Sequence, residues 1–371
     1  MSHIASRGSG RRDGADRAPT YVSADRTLRV KVVDTCGLTY TFCHNEGTPV
    51  VTDNLGRVPQ AFTSTGRSGR VSIYLGSNGV SFLPATVAPN AEFFRALHTM
   101  TEALDLRELH LTGGEPTLHP RLAEVVALGV SAGYRVCMTS NGENGARTIP
   151  ACAAAGLDRV NFSIFGTTPD ELAQVQASKY ANPRRAAAKI AALRASIQAC
   201  ADHGVKASAN IVVPDQTHAA RVRRLLEEFT PDLSVRLLNS LDDGQRSIDA
   251  IHGILDDLGG VRVERHITAG ASGFRDAYRL DSGRVIYFKQ IRPVRLPVTC
   301  TGCRFNNDRD CQEGYYGVRL YRDRAGGFQV GVCIQRMDLC MTLEEFAGSD
   351  LRTEILELRE AEYRQLAADA A

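Results

Sequence analysis

Long apolar runs and an excess of charge of one sign are both absent from this sequence of 371 residues, and each absence excludes a class of function. No apolar run approaches the ~18 residues of a membrane-spanning helix, and the N-terminus lacks the apolar stretch typical of a signal peptide. Charge of one sign is also scarce, because the formal net charge is only +2 at pH 7. A dedicated nucleic-acid or membrane surface is therefore disfavoured. We expect a cytoplasmic protein.

The ten cysteines are grouped in a pattern that suits metal binding. In a cytoplasmic protein, cysteines are more often metal ligands, redox groups or small core residues than disulfide partners. One group is Cys36 with Cys43, and a second group lies near the C-terminus: Cys300, Cys303, Cys311 and Cys333. Four others are scattered: Cys137, Cys152, Cys200 and Cys340.

Short strand-like runs alternate with helical segments along the chain. The predicted strands are residues 28–33, 108–112, 135–139, 159–164, 206–213 and 234–238. In one intervening helix, Asn182 is typical of a cap, Pro183 of the first helical position and Gly204 of the end, and Cys200 lies on the apolar face. The repeated βα order predicts a parallel sheet with helices on its outer face.

The loop after the first predicted strand lacks one thiol. A Cys-x3-Cys-x2-Cys loop places three thiolates around a [4Fe-4S] cube and leaves the fourth iron open for a cofactor. In the same register this chain has Cys36, then Tyr40, then Cys43. Phenolate is a harder donor with a pKa near 10, so we expect a weakened cluster.

These motifs resemble those of the radical S-adenosylmethionine (radical SAM) superfamily. The resemblance rests on the cysteine loop, on Phe42 before its last cysteine, and on Gly113-Gly114-Glu115-Pro116 after the second strand. It implies an α/β fold, a partial (β/α)6 TIM-like barrel with its catalytic groups at the C-terminal strand ends. It also implies a [4Fe-4S] cluster at Cys36, Tyr40 and Cys43, and S-adenosylmethionine as cofactor.

The resemblance also implies a set of cofactor contacts. Gly113 and Gly114 would let the backbone approach S-adenosylmethionine, and Glu115 would pair with its ammonium group. The other candidates lie beside the cysteine loop or near strand ends: Phe42, Ser140, Asn141, Ser163, Asn210 and Arg236. Simple turn capping is the alternative role for the strand-end residues.

Tyr40 leaves three interpretations open. It is a lesion in an otherwise ordinary enzyme, a working ligand of an unusual cluster, or the mark of a non-radical relative that retains the fold. Intact Cys43, Glu115 and Asn141 favour the first, because a chain released from catalysis has no physical need for them.

The C-terminal cysteines form a second candidate metal site. Cys300, Cys303, Cys311 and Cys333 fall within 34 residues, and a hairpin over residues 317–333 would return the last thiol to the others. The layout resembles the twitch or SPASM extensions of the superfamily, as in the GTP-cyclising enzymes of molybdenum-cofactor synthesis. This implies an auxiliary Fe-S cluster, and a structural zinc site is the alternative.

We expect three regions along the chain. Residues 1–25 are a mobile tail, residues 26–260 form the barrel with an insertion at 48–88, and residues 261–371 form a small cysteine-rich α+β domain that ends in a charged amphipathic helix over residues 343–371. The insertion contains a predicted hairpin, and two interpretations of it stay open: its arginines at 57, 67 or 70 meet an anionic substrate, or it is a surface addition without a role at the site.

The predicted function is generation of a 5′-deoxyadenosyl radical for hydrogen abstraction from a small molecule or peptide, impaired by Tyr40. A flavodoxin- or ferredoxin-type protein would supply the electron. The alternative is a non-catalytic or regulatory metal-binding protein. No motif identifies the substrate.

Overall fold

The computed structural model describes residues 18–33, 35–38, 64–65, 70–71, 86–176, 181–303, 305–307, 311–315, 317–323, 325–333, 336 and 339–370. The strands, in chain order, are β1 (Thr20–Ala24), β2 (Thr27–Val33), β3 (Ser64–Thr65), β4 (Arg70–Val71), β5 (Glu108–Gly113), β6 (Arg135–Ser140), β7 (Leu157–Ser163), β8 (Lys206–Val213), β9 (Ser234–Asn239), β10 (Val261–Ala269), β11 (Gly273–Arg279), β12 (Val285–Ile291), β13 (Val318–Arg322), β14 (Phe328–Gly331) and β15 (Met341–Thr342). The helices are α1 (Ala91–Leu104), α2 (Leu122–Ser131), α3 (Gly145–Ala154), α4 (Pro169–Gln174), α5 (Pro183–Asp202), α6 (Ala219–Glu228), α7 (Gly244–Asp257), α8 (Leu343–Ala347) and α9 (Asp350–Ala370). None of these helices has the length and apolarity needed to span a bilayer.

Thirteen strands form one sheet, in the order β1-β10-β11-β12-β9-β8-β7-β6-β5-β2-β13-β14-β15. Its centre is six neighbouring parallel strands, from β2 through β5, β6, β7 and β8 to β9. This is the predicted partial (β/α)6 arrangement. Within the described ranges, the outermost strands β1 and β15 do not pair to close a ring.

Strands from the C-terminal third extend both sides of this centre. On one side β12 pairs in parallel with β9, and β11 and β10 follow as antiparallel neighbours. On the other side β13 pairs in parallel with β2 and continues into β14 and β15. The predicted hairpin before Cys333 is confirmed as β13 and β14. A separate domain from residue 261 stays a prediction.

Alternate residues divide the central strands into an apolar and a polar face, because successive side chains point to opposite sides. Fully buried apolar residues pack with the helices in one core: Leu109, Leu111, Val160, Phe162, Val235 and Leu237. The residues between them are polar: His110, Asn161, Asn210 and Arg236. The face turned away from the helices is therefore polar, and it carries the candidate site.

The predicted tail was too long. Residues 20–24 form β1, which pairs in parallel with β10, Thr20 opposite Arg265 and Ala24 opposite Ala269. Five residues at a sheet edge give only a short alternation of more and less exposed side chains. The Gly, Ser and Arg residues that precede them are typical of a tail, so the strand was not predicted. Residues 1–17 lie outside the described residues.

The predicted terminal helix is two helices. α8 begins at a capping box in which Thr342 and Glu345 bond each other's backbone N–H. Gly348 ends α8, and α9 begins at Asp350. One continuous helix over 343–371 was therefore wrong.

Most of the insertion lies outside the described residues. Arg57, Arg67 and the predicted hairpin strands after Val71 belong to this part. In the described part, β3 and β4 form a short antiparallel pair, with Ser64 opposite Val71.

Helix α5 begins and ends as predicted. The Asn182 side chain accepts hydrogen bonds from the backbone N–H groups of Arg184 at 2.9 Å and Arg185 at 3.2 Å. Beyond the last turn, Gly204 has φ +68°, a conformation that favours glycine. Cys200 is fully buried, as expected for its face.

Replacing Asn182 by alanine should lower the free energy of unfolding by about 1 kcal/mol, because two N–H groups of α5 lose their acceptor. Urea unfolding of the wild type, Asn182→Ala and Asn182→Asp measures this. Asp restores an acceptor, so equal losses in both variants would contradict the assigned cap.

Candidate cofactor site and cationic chamber

The glycine-glutamate turn lies directly against the start of the cysteine loop. Gly113 has φ +150°, and a Cβ atom there would overlap the backbone oxygen of Val33. Gly114 N–H donates to Val33 O at 2.8 Å, and Glu115 N–H donates to Thr35 O at 2.8 Å. Glycine is required because no side chain fits between these two backbones.

Glu115 holds its neighbours rather than pointing into open space. Its carboxylate is 1% exposed and accepts from Ser140 Oγ at 2.6 Å, Asn141 N at 2.6 Å, Thr117 N at 3.0 Å and Thr117 Oγ1 at 2.7 Å. Burial raises its pKa, and these hydrogen bonds oppose that rise. The turn after β6 is thereby fixed to the turn after β5.

Cys36 lies where these turns meet. Asn141 Nδ2 donates to Cys36 Sγ at 3.5 Å, and Leu38 N–H also approaches the sulfur at 3.5 Å. Gly37 N–H donates to Glu143 Oε2 at 2.8 Å. The first cysteine and the glycine-glutamate turn therefore share one end of the sheet.

Polar side chains line the strands next to this end. Asn161 Oδ1 accepts from Ser208 Oγ at 2.7 Å and from Arg236 Nη1 at 3.0 Å. Ser163 is in register with Asn210, and Asn210 with Arg236. Asn210 Oδ1 and Arg236 Nε are buried and have no hydrogen-bond partner in the described chain. A water molecule or a bound ligand can supply those partners.

Cations dominate the same polar face, which we term the cationic chamber. Its basic side chains come from β2, β9, β11, β12 and β13: Arg29, Lys31, Arg236, Arg275, Lys289 and Arg319. Lys31 and Arg319 are each 4% exposed, and with Arg29 they line one small cavity of about 180 Å³. An anion beside Arg236, Arg275 and Lys289 would offset the positive charges that help to lower the pKa of Lys289.

Lys289 shows how closely the positive charges lie. Burial and the charges of Arg29, Arg236 and Arg275 lower its pKa to about 8, against the opposing effect of Glu313. Lys289 is in register with Arg275, whose guanidinium lies 4.9 Å from the ring centre of Tyr287. The Arg275 Nε atom is buried and lacks a hydrogen-bond partner among described residues.

The amino-terminal ends of the central strands hold an ion-paired cluster. Glu108, His110 and Cys137 place ligand atoms within 4.8 Å of one another. However, Arg159 Nη2 lies 3.1 Å from Glu108 Oε1 and 3.6 Å from Cys137 Sγ. Burial raises the Cys137 pKa to about 12, so the thiol stays protonated. The Arg159 guanidinium therefore supplies the positive charge that pairs with Glu108 in this cluster.

The four C-terminal cysteines line one cavity of about 450 Å³, part of it open to solvent. Cys303 N–H donates to Cys300 O at 3.1 Å, which brings the first two into one turn. Arg336 N–H approaches Cys333 Sγ at 3.4 Å, and its Nη1 lies 3.7 Å from Cys303 Sγ. Burial raises the pKa of Cys300. The structure thus brings all four predicted ligands together.

Glu354 of α9 fixes the turn that begins this site. Its buried carboxylate accepts from Val298 N at 2.5 Å, Thr299 N at 3.0 Å and Thr299 Oγ1 at 2.6 Å. The N–H groups of Val298 and Thr299 lie at the start of a helical turn, where backbone N–H groups have no partner within the turn. Glu354 therefore positions Cys300 from a distant helix.

The predicted site residues fall into three sets. Cys36, Glu115, Ser140 and Asn141 are in contact, whereas Ser163 ends β7 and lies in register with Asn210 of β8, which lies in register with Arg236 of β9. Tyr40, Phe42 and Cys43 lie outside the described residues. The roles assigned to all of these residues stay predictions.

Sequence reasoning missed several members of the site: Glu143, Lys189, Arg275, Lys289 and Glu354. The sequence contained a signal for Arg275 and Lys289, because a charged residue within a strand-like run often has a functional role. No sequence pattern marks Glu143, Lys189 or Glu354, since they act across long separations.

The fold and site define a partial-barrel α/β protein with a cysteine loop and a glycine-glutamate turn at one end of its sheet. A family model described as the radical SAM superfamily matches residues 36–228, just over half of the chain. The chain therefore belongs to the radical SAM superfamily. Membership implies a [4Fe-4S] cluster and S-adenosylmethionine as cofactors, in agreement with the sequence analysis.

Curated relatives and a solved structure agree with this assignment. A probable GTP 3′,8-cyclase of Metallosphaera sedula is 25% identical over 80% of this chain and 81% of its own length. A GTP 3′,8-cyclase of Corynebacterium glutamicum is 33% identical, over 32% of this chain and 34% of its own. Streptococcus suis SuiB bound to S-adenosylmethionine superposes with TM-score 0.51 at 12% identity, covering 90% of this chain and 68% of that protein. That likeness shows the fold.

The described residues fit these cofactors. Cys36 offers a half-buried sulfur beside Gly113 and Gly114, which leave the backbone free of side chains. The buried, unpartnered Asn210 Oδ1 lies on β8, three strands from β5, and can accept a hydrogen bond from a ligand.

Replacing Glu354 by glutamine should lower the free energy of unfolding by about 1–2 kcal/mol and speed metal release from the C-terminal cysteines, because a charged acceptor of three hydrogen bonds is lost. Urea unfolding and iron release to a chelator measure this. Glu357→Gln on the exposed side of α9 is the matched control. Equal behaviour of both variants would contradict the positioning role.

The lowered pKa of Lys289 predicts a specific pH dependence of stability. Between pH 8 and 10.5 the unfolded chain binds more protons at this residue than the folded chain, so its contribution to stability rises with pH, by about 3 kcal/mol at most. Lys289→Met should remove this rise, measured by urea unfolding at pH 7.5 and 9.5. Lys206→Met, at an exposed position, should retain the rise of stability with pH. The same pH profile in both variants would contradict the assignment of this rise to Lys289.

Proposed function

We propose that this protein is a radical SAM enzyme that acts on an anionic small molecule held in the cationic chamber. The cofactors, when bound, supply a 5′-deoxyadenosyl radical for hydrogen abstraction. The chain's own residues orient the reactants and exclude water. A flavodoxin- or ferredoxin-type protein is the proposed electron donor.

The observation that carries the proposal is the concentration of positive charge next to the cofactor site. Arg236 belongs to both regions, because it donates to Asn161 in β7 and lowers the pKa of Lys289 in β12. The unpartnered Arg236 Nε and Arg275 Nε atoms can donate to a phosphate or carboxylate. An anionic substrate would offset these charges more than a neutral one would.

The relatives support a nucleotide as this anion. Their name, GTP 3′,8-cyclase, gives a nucleoside triphosphate as their substrate. Sequence identity of 25% over most of the chain is too low to assign the same reaction to this protein. The name of the relatives nevertheless makes GTP the first substrate to test.

We also propose an auxiliary Fe-S cluster at Cys300, Cys303, Cys311 and Cys333. The four cysteines line a cavity with room for a cluster, and a single zinc ion, held by four sulfurs at about 2.3 Å, is the alternative. Four thiolates complete the ligand set, so an electron-transfer or structural role is favoured over substrate ligation.

The second candidate is a non-catalytic metal-binding protein that retains the fold. Tyr40 favours it, because the middle cluster ligand is absent. In that case the cationic chamber would bind an effector.

Anaerobic reconstitution of the wild type and Tyr40→Cys should give 5′-deoxyadenosine from S-adenosylmethionine, with more product from the variant because a thiolate replaces a phenolate. Iron content, deoxyadenosine and nucleotide binding are measured together. Lys289→Met and Arg275→Met should each weaken GTP binding roughly tenfold or more, and Lys206→Met should not.

Deoxyadenosine from the wild type would identify Tyr40 as a working ligand, whereas product only from Tyr40→Cys would identify a lesion. Anion binding without product in either chain would support the second candidate. Product with no dependence on Lys289 or Arg275 would contradict the anionic substrate.

A further inference from the structure

We propose that Glu143 and Lys189 are positioning residues that hold the start of the cysteine loop in the geometry needed to receive a cluster. The assignment deepens the proposed function and rests on it for its purpose. The two residues are distant in sequence from the loop and belong to no part of the superfamily motifs described above.

The contacts form a short chain from α5 to the loop. Lys189 Nζ pairs with Glu143 Oε1, and Glu143 Oε2 accepts from Gly37 N–H at 2.8 Å. The Lys189 and Glu143 side chains are 17% and 16% exposed. A partly buried ion pair with its second oxygen occupied is more rigid than a surface pair.

Glycine at position 37 makes this approach possible. A Cβ atom there would overlap the Glu143 carboxylate, so the carboxylate fills the space that any other residue would occupy. Glu143 N–H also donates to Asn141 Oδ1 at 2.9 Å, and Asn141 in turn donates to Cys36 Sγ. Glu143 thus fixes both the backbone after Cys36 and the amide that contacts its sulfur.

This restraint has a particular use in a loop with Tyr40 at its centre. Ordering a flexible loop costs conformational entropy, and a loop with fewer thiolate ligands gains less from the metal. Restraining Cys36 before metal binding lowers that cost. We therefore expect the contacts to exist in the protein without metal.

The first experiment measures amide hydrogen exchange of Gly37 in the metal-free protein. Glu143→Ala should speed exchange roughly tenfold, because the N–H loses a charged acceptor. Lys189→Met should have a smaller effect in the same direction, and Lys189→Arg should restore protection. The exposed Glu227→Ala is the control, and thermal midpoints within ~2 °C would show that the effect is local.

A double-mutant cycle tests the packing at Gly37. Gly37→Ala should slow iron incorporation and speed its release in the wild-type background, because the new methyl group displaces the carboxylate. In the Glu143→Ala background the same substitution should have little further effect, since the space is then empty. Additive effects would overturn the assignment.

The outcomes separate this proposal from the proposed function. Faster Gly37 exchange in Glu143→Ala, with rescue by Lys189→Arg, supports the positioning role even where no 5′-deoxyadenosine forms. Unchanged exchange overturns it even where the enzyme is active.

Discussion

The close approach of two backbones, at Val33 and Gly113, is the constraint on which the site depends. Hydrogen bonds of 2.8 Å from Gly114 to Val33 and from Glu115 to Thr35 join the ends of β2 and β5. Cys36 follows one strand and Glu115 the other, so the first cysteine of the loop lies beside the glycine-glutamate turn. Buried Glu115 extends this junction to Ser140 and Asn141 of the next strand.

The polar face of the sheet follows from the same parallel register. Side chains that alternate with the helix-packed core lie side by side across β7, β8, β9 and β12, because parallel strands align their ends. Positive charge accumulates there from residues far apart in sequence, such as Arg29 and Lys289. A binding chamber next to the cofactor end therefore arises from strand order rather than from a continuous motif.

The sequence was sufficient to predict the features that depend on residues close together in the chain. The six central strands, the Asn182 cap and the hairpin before Cys333 depend on alternation, capping and turn chemistry, which are local. Strand β1 and the break at Gly348 were missed because their signals are short. Glu143, Lys189 and Glu354 were missed because their contacts join residues 46 to 106 positions apart, and no local pattern marks such contacts.

Cys36 and the glycine-glutamate turn are proposed to bind one S-adenosylmethionine molecule beside a cluster. The direct measurement is pulsed EPR of the reduced, reconstituted protein with S-adenosylmethionine carrying ¹⁵N in its amino group, on the native chain and on Tyr40→Cys. The account predicts hyperfine coupling between the cluster and the ¹⁵N nucleus in at least the variant. Spectra that do not change on addition of the labelled cofactor in either chain would contradict it.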